Sequence, residues 1–67
     1  MRKYKKITDA MCRAFLREMR TFGYPKLTLD QVQSVADSLE AGTYSKTNVI
    51  AVMFARELDD LRHFEQM

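Results

Sequence analysis

Two glycines and one proline punctuate a chain otherwise rich in helix-favouring residues, and they cluster at two places only, Gly23 with Pro25 and Gly42. These breakers cut the sequence into three segments. Each segment carries apolar residues at helical rather than strand spacing. In the first, Ile7, Met11, Phe15, Met19 and Phe22 recur at intervals of four, four, four and three. Cys12 and Leu16 widen that stripe on one side and Ala14 on the other. A helix over residues 8–22 is expected, ended by Gly23 in the left-handed C′ position, with Tyr24 packing back on Met19. Pro25 forbids its continuation.

The second segment opens with Thr28-Leu29-Asp30-Gln31. This is a capping box, with Thr28 as N-cap and Gln31 three residues on, flanked by a Leu27/Val32 hydrophobic staple. Asp30 adds negative charge where the helix dipole favours it. Val32, Val35, Ala36 and Leu39 then form one face, and Gly42 closes a helix over 29–41. The third segment has Ser45 or Thr47 as its expected cap and a stripe of Ile50, Met53/Phe54, Leu58, Leu61 and Phe64. It predicts a helix over 46–64. Val49 and Val52 lie off that stripe, so the first half of this helix is apolar almost all round. The reading is an all-α, small three-helix bundle, one domain over 1–67 with a basic arm at 1–7.

A chain of 67 residues buries too little surface to be strongly stable by core packing alone. Cys12 is its only cysteine, which excludes an internal disulfide and a cysteine-rich zinc site. Helix packing and self-association remain as sources of stability. The apolar excess of Val49 and Val52 makes those two residues the expected self-association surface of a homodimer, unless the N-terminal arm folds over them. A lone cysteine fits a reducing compartment. The basic start Met1 to Lys6 is followed by no apolar core of a signal peptide, and the longest apolar run is seven residues, Val49 to Ala55. The expectation is therefore a cytoplasmic protein with no membrane span.

Net charge is only +2, yet it is distributed unevenly: residues 1–26 carry +6 and residues 27–67 carry −4. With Phe15 at the centre of the buried face, Lys6, Arg13, Arg17 and Arg20 all fall on the opposite side. Such a stripe can neutralise phosphates or meet an acidic protein surface; a plain solvated face is the bland alternative. Arginine at all three helical positions favours an interface. A helix-turn-helix reading fails on charge, because the later helix carries Glu57, Asp59, Asp60 and Glu65 and would be repelled by phosphate. Asp59, Asp60 and His63 are the only metal-like cluster, and helix-surface ion pairs explain them better. The single histidine, a stripe-side cysteine and no glycine-rich phosphate loop leave catalysis without a constellation. No enzyme, cofactor or metal is expected. The expected partner is a larger protein, with nucleic acid as the alternative through the arm and first helix.

The run Phe22-Gly23-Tyr24-Pro25-Lys26-Leu27-Thr28-Leu29-Asp30-Gln31-Val32, continuing through Ala41-Gly42, resembles segments of small proteins from actinobacteria and their phages. It covers about a third of the chain and carries no catalytic motif. The resemblance implies a phage or mobile-element origin and brings no activity with it; the expected function, binding and modulating a larger host protein, is read from the basic stripe and the missing catalytic constellation.

Overall fold

The computed structural model describes the backbone of residues 4–65 and side chains up to Asp60. Three helices follow one another: α1 (Asp9–Thr21), α2 (Leu29–Ala41) and α3 (Val49–Glu65), with no strand among the described residues. All three start on a side chain that accepts a hydrogen bond from the first turn. Thr8 accepts from the Met11 N–H, and the Thr8 N–H is covered in return by the Met11 thioether, so the box that begins α1 uses sulfur where Glu or Gln is usual. Thr28 and Gln31 form the reciprocal pair expected for α2.

The start of α3 corrects the sequence reading. Neither Ser45 nor Thr47 is its cap; the Asn48 carboxamide oxygen accepts from the Ala51 N–H at 3.2 Å. The Ser45 hydroxyl instead binds the Thr47 N–H and hydroxyl, and its carbonyl accepts from the Asn48 N–H. That local turn occupies residues 45–48 and delays the helix to Val49. The ends of α1 and α2 follow expectation. Tyr24 N–H reaches back to Met19 O, and Thr43 N–H to Ser38 O, the six-to-one bonds of a Schellman close. Gly23 and Gly42 hold the positive φ angles, 121° and 75°, that those bonds require.

The core is a single cluster drawn from every element. It comprises Ile7 of the arm, Cys12, Phe15 and Met19 of α1, Val32, Ala36 and Leu39 of α2, and Phe54, Ala55 and Leu58 of α3. Phe15 and Phe54 stack nearly parallel, ring centres 4.3 Å apart. Both outer helices pack mainly on α2, so this ring pair is the chief tie between α1 and α3. Two stripe assignments change. Phe22 is 74% exposed, because the helix ends one residue before it and the backbone turns away. On α3 the closest-packed positions include Ala51 and Ala55, while Ile50 and Met53 are only half-buried. Leu61, His63 and Phe64 lie outside the described side chains.

The basic arm is tied to the bundle. Tyr4 N–H donates to Leu39 O and Ile7 N–H to a Glu40 carboxylate oxygen, both at 3.0 Å. Tyr4 also packs its ring on Tyr44, centres 6.2 Å apart, and directs its hydroxyl to Asp59 of α3. The arm thus closes the end of the bundle where α2 finishes. Val49 stays 56% exposed and Val52 half-buried.

Candidate functional site

Arg13, Arg17 and Arg20 stand on the solvent side of α1, all exposed, as the stripe required. Together with Leu16, Thr21 and Leu29 they line a shallow groove of about 530 Å³ where α1 passes the start of α2. Lys6 is exposed on the arm but does not line this groove. The structure therefore unites three of the four basic residues and leaves the fourth apart.

The three guanidinium groups differ in freedom. Arg13 Nε donates to Asp9 at 2.8 Å, and the other Asp9 oxygen accepts from the Gln33 amide at 3.0 Å. These bonds hold the Asp9 carboxyl below the usual carboxylate range, with the Arg13 bond as the larger cause. Arg20 donates through Nε and Nη2 to Leu27 O, at 3.1 and 2.9 Å. That carbonyl immediately precedes the N-cap of α2, so Arg20 ties the end of α1 to the start of α2. Arg17, between them, makes no side-chain hydrogen bond or ion pair with the described residues. Two fixed cations thus flank a free one above the half-buried Leu16 and Leu29. Unused N–H groups remain on both fixed guanidiniums for a ligand.

Three other depressions lie among the described residues. One, about 530 Å³, is mostly apolar and lined by Tyr24, Pro25, Leu27, Val49 and Ile50. Val49 therefore borders a groove, as a surface residue would; Val52 does not line it. A second, about 370 Å³, runs between α1 and α3 over Met11, Ala14, Phe54 and Leu58, with Glu18 and Glu57 on it. Burial, and the Glu18 carboxyl opposite, push Glu57 up from its ordinary value. A third, about 300 Å³, brings Cys12 near Asp9, Asp37 and Glu40. Burial first, then those carboxylates, push the Cys12 thiol up, which disfavours the nucleophilic thiolate. Among the described residues no group of three or more potential ligands is placed to hold a metal ion, and no helix is long and apolar enough to cross a membrane.

Sequence reasoning missed two features of this surface. The Asp9–Arg13 pair was readable from its spacing of four on a helix. The Glu18–Glu57 pair was not, because only the approach of α1 to α3 joins those residues. Comparison with protein families, characterised proteins and solved structures finds no match to this chain.

Proposed function

We propose that this protein is a non-enzymatic interaction module that docks on a larger protein through the arginine groove of α1 and α2. The observation that carries the reading is the arrangement of Arg13, Arg17 and Arg20. Two guanidiniums are fixed by intrachain bonds, so little side-chain entropy is lost when they bind. The third is free to meet a carboxylate, and Leu16 and Leu29 offer an apolar floor beneath. An acidic segment bearing one apolar anchor matches both parts of that surface. A phosphate backbone would use the cations and leave the leucines unfilled. Asp9 also neutralises part of the Arg13 charge, which weakens a purely electrostatic grip. The raised Cys12 thiol supports a non-catalytic reading. A phage or mobile-element origin, expected from residues 22–42, would make that partner a host protein, and the lone Cys12 fits a meeting in the cytoplasm.

The test combines capture from a host extract, with and without nuclease, and titration against duplex DNA. The expected result is one protein retained after nuclease treatment and lost with Arg13→Glu, Arg17→Glu and Arg20→Glu combined. Duplex binding would instead weaken with a log–log salt slope of about −0.9 per phosphate contacted. Sub-micromolar duplex affinity at physiological salt overturns the reading in favour of nucleic acid. Undiminished capture by the triple variant reduces the stripe to a solvated face.

A further inference from the structure

The outer face of α1 has a pattern that its own bundle does not use. Ala10, Ala14, Arg17 and Thr21 are all exposed and follow one another at intervals of four, three and four. That is the seam spacing of a two-stranded coiled coil. The buried Cys12 and Met19 fall on the side turned away from this seam, so the seam points outward. Arg13 and Arg20 flank it on one side, Met11 and Glu18 on the other. On the Glu18 side, Glu57 of α3 stands beside Glu18, and the crevice floor is Met11, Phe54 and Leu58. No cation of the described residues pairs with either carboxylate. One flank of the helix is therefore cationic and the other anionic over an apolar floor.

We propose that this face is a docking surface for a second copy of the chain, with the two α1 helices side by side and parallel about a two-fold axis along them. The proposal rests on the arginine face being a docking surface and names one acidic surface that fits it. Symmetry selects the orientation. In a parallel pair the cationic flank of each copy meets the anionic flank of the other, twice. In an antiparallel pair like flanks would meet. Arg13 of one copy then faces Glu18 of the other, five residues further along, the usual flank-to-flank pairing of parallel coiled coils. Its aliphatic stem lies over the Met11 and Phe54 floor while its head reaches the carboxylates. Ala10 and Ala14 let the helix backbones approach closely. Arg17 in the seam costs stability and fixes the register, as polar seam residues do. A seam confined to the 13 residues of α1 belongs with small interfaces, below about 1,200 Å², so the association is weak.

Sedimentation equilibrium of the full chain up to about 1 mM at low salt, a range suited to such small interfaces, reads the dimer. Arg13→Glu and Glu18→Arg are each expected to weaken it roughly tenfold, as two ion pairs become repulsive. The double variant, which recreates the pair in reverse, is expected to restore it. Glu18→Arg also gives Glu57 a cation within the same chain, which relieves a like-charge pair, and an unchanged helical circular dichroism spectrum separates loss of the dimer from unfolding. Independently, Ala14→Cys in a Cys12→Ala background is expected to cross-link on mild oxidation, and Arg56→Cys in that background is not. A strict monomer at the highest concentration overturns the proposal, as does a double variant no better than the singles. So does a dimer abolished by Val49→Asp and indifferent to the charge reversals. A strict monomer that still captures a host protein through its arginines would sink the dimer alone and leave the interaction module standing.

Discussion

Glu18 and Glu57 show how one side chain's environment sets a measurable property. Glu57 is held above its ordinary value of 4.5 by burial and by the Glu18 carboxyl. A raised folded-state value means the folded chain binds the proton more tightly than the unfolded chain. The contribution is fully present below pH 4.5 and is lost as the pH rises through the folded value. Replacing Glu18 with Gln removes the like charge, so thermal melts at pH 7 should show a gain of roughly 0.5 kcal/mol, the scale of a surface like-charge pair. The gain should vanish below pH 4.5, where wild-type Glu57 is protonated. Asp9 acts in the opposite sense. Its lowered value gives stability that is present above its ordinary 3.8 and lost as the pH falls below it. Asp9→Asn should therefore destabilise at neutral pH and make no difference in strong acid. A melt that is flat across this range in all three proteins would contradict both assignments.

The individual helices owe their limits to a few capping residues. Thr28 and Asn48 each satisfy an N–H of a first turn that has no intrahelical partner. Replacing either with Ala should cost about 1 kcal/mol, read by urea unfolding. Ser45→Ala should cost less, since Ser45 supports the preceding turn and not the helix itself. An Asn48→Ala variant as stable as wild type, paired with a costly Ser45→Ala, would return the cap to Ser45. Gly42 holds φ at 75°, so Gly42→Ala should cost about 1 kcal/mol through left-handed strain.

For the molecule as a whole, the Phe15–Phe54 stack joins the two helices that otherwise meet least. Phe54 is only 1% exposed, and Phe54→Ala should cost about 3–5 kcal/mol. A bundle of this size holds roughly 3–5 kcal/mol in total, so that variant should lose its helical far-ultraviolet circular dichroism at room temperature. Ile7 extends the core beyond the helices, and Ile7→Ala should release the arm and lower the melting temperature by many degrees. A folded, cooperative Phe54→Ala variant would show that α2 alone holds its neighbours.

The three helices, their order, both limits of α2 and the glycine close of α1 are legible in the residues, because a 3.6-residue stripe, a capping box and a glycine close are local and act within a few positions. Thr28 with Gln31, and the stops at Gly23 and Gly42, needed no partner from elsewhere in the chain. The solvent-facing arginines were legible for the same reason, since a helical stripe fixes its own opposite side. What tertiary structure decided was every relation between segments. Phe22 left the core because the chain turned one residue earlier than its apolar spacing implied. Ala51 and Ala55 entered the core because close helix approach rewards small side chains that hydrophobic spacing alone does not mark. Only packing set Arg20 on the Leu27 carbonyl, Asp9 on Gln33 and Glu18 against Glu57. The sequence could name which residues were charged and exposed, but their partners lie across helix contacts, and those depend on the fit of whole faces.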